Sequence, residues 1–475
     1  MKNATATLIA MCLAVLMVQL DTTVVNLALR PIQASLNTNI ATLQWVIDGY
    51  NLVYATFILT GAVLGDRFGR KRLFLIGAAL FAAGTALSAV APSALILVLS
   101  RVVTGFGAAI ALPISLSVVT ATYPQESQRN RAIAIWSGVN GIAIALGPTA
   151  GGVLVDHFGW RAIFWMFLPV IAVAFVLTLR AVRESKSAAA RGLDWPGQML
   201  AVATLGTFTF GAIEGPALHW NVWILATLAA SLCALAAFIL VERRSANPLV
   251  HLEIFQSRNF TGAILVTFAM TFGMYSFLFI VPNYLQSVTS LSALLAGLLL
   301  LPTGAFFAAM SPFVGRWMSV AGPRRLVVTG MLLQAAGFLM TLGLGRHGPV
   351  WVVVVQTTLL GLALGCETGP LMTVAMASVP KDRFGMPSGV VNVARLTGAT
   401  VGVAVLGSIL AVHLGEGKQD PDAFIAGMRL AMLTAAGLAS AAAAAALFAL
   451  REPRRGKKHG AVPRAPQRLA RRSGA

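Results

Sequence analysis

Acidic residues are scarce in this chain, 16 Asp and Glu against 35 Lys and Arg, and charged residues of every kind make up only 11% of its 475 positions. A soluble globular domain runs nearer a quarter charged, so a water-facing surface of the ordinary kind is excluded. Cysteine is almost absent. Cys12, Cys233 and Cys366 lie far apart, each within an apolar stretch. An odd count without ligand or pairing spacing argues against a disulfide framework and against a metal site, and these residues read as small buried hydrophobes. Neither Gly-x4-Gly-Lys-Ser/Thr nor His-Glu-x-x-His nor Gly-x-Ser-x-Gly occurs, and the six histidines are scattered. An ATP-driven pump would therefore need a second subunit, and a membrane-embedded enzyme lacks its metal or nucleophile cluster.

What the chain does contain is apolar material: 57% of residues are hydrophobic and the mean hydropathy is +0.80. It comes in blocks of about 20 residues, the length of a helix that crosses a bilayer. Fourteen spans can be drawn, at 6–28, 44–64, 74–91, 95–121, 132–155, 162–179, 195–214, 221–240, 260–283, 292–314, 326–344, 350–378, 386–412 and 425–450. The expected fold class is an all-α polytopic membrane protein. Residues Met1–Leu20 carry Lys2 and an apolar core but no small-x-small cleavage site, and the apolar run continues past them, so they read as a retained first helix.

A net charge of +19 invites a nucleic-acid reading, but the basic residues fall in alternate connections, which is an orientation signal. With the N-terminus inside, inner segments hold 28 Lys and Arg and outer segments four, namely Arg30, Arg161, Arg346 and Lys418. Both termini are expected in the cytoplasm, with the lipid bilayer and not nucleic acid as the surrounding partner. The tail 451–475, with nine Lys and Arg and three Pro, should be disordered and held near anionic lipid.

One connection repeats. Gly65-Asp66-Arg67-Phe68-Gly69-Arg70-Lys71-Arg72 follows the second span, and Gly315-Arg316-Trp317 through Gly322-Pro323-Arg324-Arg325 follows the tenth. The repeat implies two six-helix bundles, 1–180 and 260–450, with 181–259 as a linker carrying two additional helices and 451–475 as the basic tail. Asp66 can cap a helix start or pair with Arg70, acting as an inner-side latch. Solvated loop charge is the alternative.

Seven charges fall within the drawn spans. Asp48, Glu214 and Arg429 stand within about a turn and a half of a span end and can reach the interface. Asp21, Arg101, Glu367 and Arg395 are central, and each is driven toward a water-filled cavity or an opposite charge. Asp21 has no basic residue on its own span, and a lone carboxylate there costs about 3 kcal/mol on insertion scales. It is the best candidate proton carrier, with a structural hydrogen-bonding carboxylate as the alternative. Arg101 is always charged, so it acts on a neighbour by approaching or leaving it, or else serves backbone carbonyls. Glu367, in Gly365-Cys366-Glu367-Thr368-Gly369-Pro370, is expected to line a central cavity as a second proton site or an attractor of cations. A partner held by Arg395 is the competing reading. Gly138, Gly141, Gly147, Pro148, Gly151 and Gly152 make one smooth face with a weak point, where two halves can slide. Tyr50, Trp45, Trp136, Phe106 and Met274 can add an aromatic, polarizable cavity surface.

Four pieces in order, Leu20–Asn26, Gly65–Arg72, Arg101-Val102-Val103-Thr104-Gly105-Phe106-Gly107 and Gly138–Gly152, together with Asn392-Val393-Ala394-Arg395, carry a resemblance. Over residues 1–450 the chain resembles the major facilitator superfamily, in its 14-span drug:proton antiporter branch. With Ile213-Glu214-Gly215-Pro216 it is also similar to antibiotic exporters of the methylenomycin-resistance type. The resemblance implies the major facilitator fold and no enzyme activity. It implies alternating-access export of small amphipathic or cationic drugs from a cytoplasmic membrane, driven by the proton gradient with no cofactor, by a chain functional as a monomer. It ties Asp21 and Arg101 to proton coupling and places Asn26, Tyr50, Gly105, Asn392 and Arg395 at the substrate cavity. It gives gating roles to Gly65, Asp66, Arg67, Gly69 and Arg70 and to the Gly147–Gly152 seam. Leu396 stands where the family often has Gln. A narrow carrier for one metabolite or a self-made antibiotic remains the second reading.

Overall fold

The computed structural model describes residues 2–187, 192–346, 348–379, 385–414 and 420–450, and all regular structure among them is helical. The proposed tail 451–475 lies outside the described residues. The helices are α1 (Lys2–Leu36), α2 (Ile40–Phe68), α3 (Arg70–Ala89), α4 (Ala94–Thr122) and α5 (Glu126–Phe158). Next come α6 (Ala162–Trp165) and α7 (Phe167–Ala181), which together make one span, then α8 (Trp195–Glu214) and α9 (Val222–Arg244). The chain continues through α10 (Arg258–Ser287), α11 (Ala293–Ala321), α12 (Pro323–Leu339), α13 (Val350–Ala377), α14 (Gly385–Leu414) and α15 (Pro421–Ala449).

Thirteen stretches among the described residues are helical, long and apolar enough to cross a membrane. They match thirteen of the fourteen drawn spans. The fourteenth, α8, is a helix of 20 residues whose apolar stretch is cut short by Gln198 near one end and Glu214 at the other. Most helices overrun the drawn spans. The first continues to Leu36, through Pro31, because amphipathic turns extend past the hydrocarbon-length core.

Local chemistry sets the ends. Asn39, Ser93, Asp194, Asn221, Ser257 and Ser292 each accept the backbone N–H three residues on, satisfying a donor that the first helical turn leaves free. The repeated basic connection is a repeated turn. Gly69 (φ 113°) and Gly322 (φ 81°) each end one helix and begin the next in a backbone conformation that side chains rarely adopt.

Packing divides the molecule by height. On the face away from the N-terminus one apolar core runs through the whole molecule, from Val24, Leu27, Leu43 and Ile47 to Phe277, Ile280, Tyr284, Leu406 and Met428. On the face that carries the N-terminus there are two cores. One is built mainly from α1, α2, α3, α4 and α7 around Met11, Tyr54, Phe74 and Phe81, and Leu396 is its one buried member from beyond residue 182. The other is built from α10, α12, α13 and α15 around Phe260, Met270, Met331 and Ala439. α9 presents Trp223, Leu225, Leu232 and Leu240 outward, as a helix facing hydrocarbon does. Cys233 is exposed on this helix, while Cys12 and Cys366 are buried, so the reading of all three cysteines as buried fails for Cys233.

Candidate functional site

Asp21 does have a basic partner, supplied by another helix. Arg101 of α4 grips it with both guanidinium ends, Nη1 to Oδ1 at 2.7 Å and Nη2 to Oδ2 at 2.6 Å. Its third nitrogen, Nε, donates to the Val46 carbonyl of α2 at 3.1 Å. The carboxylate is 0% exposed and the guanidinium residue 1%. Tyr50 of α2 lies under the guanidinium carbon, 4.6 Å from its ring centre, and donates its hydroxyl to the Val18 carbonyl of α1 at 3.3 Å. The site therefore ties α1, α2 and α4 together with one buried ion pair, and the guanidinium lies against two rings, Tyr50 and, at 5.9 Å, Phe164 of α6. Two-point geometry and desolvation make such a pair strong to form and costly to break on one side only.

Around it, Asn26 donates to the Thr22 carbonyl of its own helix at 3.0 Å, and its Oδ1 is buried without a partner. Gly105 does not face a cavity. A methyl group there would meet the Tyr50 carbonyl at 2.7 Å, so the glycine lets α2 and α4 touch. Asn392 and Arg395 are half-buried on one side of α14, and Arg395 is close enough to act electrostatically on Tyr54.

Glu367 lies elsewhere than expected. It is wholly buried with both oxygens unpartnered, and its side chain packs against Gly330 of α12, where an added methyl would come within 2.9 Å of Oε1. It faces the neighbouring helix of its own bundle, and no hydrogen bond or ion pair to Arg395 holds it among the described residues. Position along the helix gave its depth in the membrane, but only the helix crossing gave its direction. Asp48 corrects the sequence reading more sharply. α2 begins at Ile40, more than two turns before it, and Asp48 is 0% exposed with neither carboxylate oxygen hydrogen-bonded. Trp45 also turns away from the centre, its indole donating to Glu214 of α8 at 2.7 Å.

The glycine-rich face of α5 is two faces. Gly147 and Gly151 pack on Thr23 and Val24 of α1, while Ala145, Pro148 and Gly152 meet Gly304, Gly297 and Ala293 of α11. Gly141 only reaches ordinary contact with Phe307, and nothing lies near Gly138. The loop residues form a compact latch within one bundle. Arg70 binds Asp66 at 2.8 Å, the Ser187 N–H donates to the Asp66 carbonyl, and Glu184 accepts the N–H groups of Lys71 and Arg72 at the start of α3. Gly65 packs on Ile114, and Arg67 lies over the Phe68 ring. Glu184 was missed in the sequence because it stands more than a hundred residues from the turn it caps.

Comparison with known proteins places these features. A family model described as Major Facilitator Superfamily matches residues 11–306 and 263–473. The multidrug resistance protein Stp of Mycobacterium tuberculosis is 38% identical over 87% of this chain and 79% of its own length. The methylenomycin A resistance protein of Streptomyces coelicolor is 34% identical over 84% of each chain, and the tetracenomycin C resistance and export protein of Streptomyces glaucescens 34% identical over 86% and 76%. Among solved structures, a bacterial homologue of the human lysosomal transporter Spinster, inward-facing and unoccupied, superposes with a TM-score of 0.68 at 19% identity over 94% and 97% of the two chains. A POT family transporter does so with 0.71 at 14% identity over 92% and 94%. At these identities the structures speak for the fold alone.

Proposed function

The chain belongs to the major facilitator superfamily, and from that premise we propose that it is a proton-coupled antiporter exporting small amphipathic or cationic drugs across the cytoplasmic membrane. Relatives named for multidrug resistance and for export of single antibiotics support export. The excess of basic residues in alternate connections supports cytoplasmic termini. In that orientation the continuous core closes the outer face, and the divided cores belong to the inner face. Residues 1–180 and 260–450 are the two bodies that rock, as a monomer, about the α5–α11 and α2–α14 seams.

The observation that carries the mechanism is the buried Asp21–Arg101 pair. A proton reaching Asp21 cancels one of two charges and dissolves the pair, freeing the guanidinium and loosening the tie between α1 and α4. Loss of that proton to the cytoplasm re-forms it. One charge moving through 100 mV yields ~2.3 kcal/mol, enough for roughly a 50-fold substrate gradient per proton. Everted vesicles loaded with a pH dye, with ethidium as probe, provide the test. Ethidium addition should discharge the proton gradient with wild type and not with Asp21→Asn at equal membrane level. Undiminished coupling in the variant would remove Asp21 from the mechanism. A panel of unrelated drugs separates broad export from the single-substrate reading.

A further inference from the structure

We propose that Asp48 is a second proton-binding site, formed where α2, α8 and α14 meet, with Thr209, Thr400, Gln44 and Asn51 supplying the oxygens around it. This deepens the antiport reading and rests on it. The Asp21 pair is satisfied, whereas both oxygens of Asp48 are wholly buried and unpartnered. An ionised carboxylate stranded in that way is far costlier than a neutral acid.

Three sets of contacts fix the neighbourhood. α8 is tied to α2 at both ends, by Glu214 to Trp45 and by Gln198 to Thr60 and the Thr56 carbonyl. The antiparallel register between these ties brings Thr209 level with Asp48. Thr209 shares its face of α8 with Ala212 and Ile213, which pack on Ala41 and Ala404. α14 is tied to α2 by Gln44, whose Nε2 donates to the Val403 and Ala404 carbonyls at 2.9 and 3.0 Å. One turn further along α2 and one turn back along the antiparallel α14, Asp48 comes opposite Thr400.

The hydroxyls of Thr209 and Thr400 are 0% exposed and, like Gln44 Oε1 and Asn51 Oδ1, have no hydrogen-bond partner. The neighbourhood is thus polar but uncharged: the threonine hydroxyls and the Asn51 amide can hydrogen-bond a carboxyl group, and none of them is a cation that could balance a buried carboxylate. The charged groups on the packed helices are engaged elsewhere. Glu214 holds Trp45, Arg101 holds Asp21, Arg70 of α3 holds Asp66, and Arg395 of α14 lies toward Tyr54, about 120° around α2 from Asp48 at 100° per residue. The site lies in the cleft between helices from opposite bundles, roofed by α8. When α2 and α14 part, water reaches it, the carboxyl O–H gives its proton to that water, and the carboxylate remains solvated. The additional helix α8 is then the cover that keeps the acid dry while the seam is closed.

The test uses the full chain in liposomes. Infrared difference spectra across a pH step, without any substrate, should show a protonated-carboxyl component that is present in wild type, in Asp21→Asn and in Glu367→Gln and is missing from Asp48→Asn. An unchanged band in Asp48→Asn overturns the site. Should that variant not fold, the pair Thr209→Val with Thr400→Val must shift the band, and an unshifted band also overturns it. With ethidium as probe, Asp48→Asn should lower the steady-state gradient at 100 mV by about 50-fold, the worth of one proton; an unaltered gradient overturns the coupling role. If ethidium is not carried at all while the band behaves as expected, the export reading fails for this probe and the site stands. Sodium that removes the band at constant pH overturns the assignment to a proton in favour of a sodium site.

Discussion

The two bundles repeat their backbone contacts and differ in what they do with charge. Gly69, Gly77 and Gly84 around α3 recur at the same spacing as Gly322, Gly330 and Gly337 around α12. Gly77 meets Ala111 of α4 as Gly330 meets Glu367 of α13, and Gly105 touches an α2 carbonyl as Gly361 touches α11 carbonyls. Within this shared frame Glu367 occupies the place of Ala111. The first bundle pairs Asp21 with Arg101 and leaves Asp48 unpartnered where it meets the second bundle. The second leaves Glu367 without a hydrogen bond in a helix seam and Arg395 half-buried. Close approach of backbones is what the duplicated fold requires; the polar chemistry laid over it belongs to each bundle separately.

That contrast can be broken at its strongest point first. Arg101→Ala should strand a buried carboxylate and cost about 3–5 kcal/mol, read as a large loss of folded protein in detergent. Arg101→Ala with Asp21→Asn should recover much of the folded yield without recovering transport. A fully stable Arg101→Ala would mean that the pair does not form in the membrane. Glu367→Gln has no partner to lose, so it should affect cationic and neutral drugs equally in growth-inhibition tests. A selective loss of cations would return Glu367 to the cavity.

The seam between bundles comes next. A methyl on Gly304 would run into the backbone of Ala145, and one on Gly297 into the Pro148 carbonyl. Gly304→Ala should slow ethidium turnover more than it weakens ethidium binding, and the reverse would contradict sliding at α5–α11. A smaller effect separates the repeated glycines. Gly330→Ala should cost about 1–3 kcal/mol by overpacking and be partly rescued by Glu367→Ala, which removes the two side-chain obstructions and leaves the Ala363 carbonyl at 3.0 Å. Gly77→Ala faces the Ala111 backbone nitrogen at 3.0 Å, and no truncation at position 111 can relieve it. Thermal unfolding of Gly330→Ala, of Gly330→Ala with Glu367→Ala, and of Gly77→Ala decides the matter. Smallest of all, Glu184→Gln weakens the acceptor at the start of α3 and should lower stability by about 1 kcal/mol at most.

Much of the fold was legible in the sequence because the bilayer judges a helix segment by segment. Block length, the alternation of basic connections and the turn at Gly65–Arg72 each depend on residues close in the chain. The site was half legible. Asp21, Arg101 and Tyr50 were all picked out, but nothing in their spacing said that the first two, 80 residues apart, grip one another over the ring of the third. Asp48 was passed over because distance from a span end measures depth and says nothing of which neighbour covers a side chain. α8 provides that cover.

The sequence by itself determined how many stretches could lie in hydrocarbon, which connections stay on the basic side, and that acids inside such stretches must be satisfied or neutral. Each of these is a transfer cost paid along the chain. Tertiary structure alone decided which acid met a cation and which stayed unpartnered. That depends on the crossing register of helices from distant parts of the chain, where a shift of one residue turns a side chain by 100°.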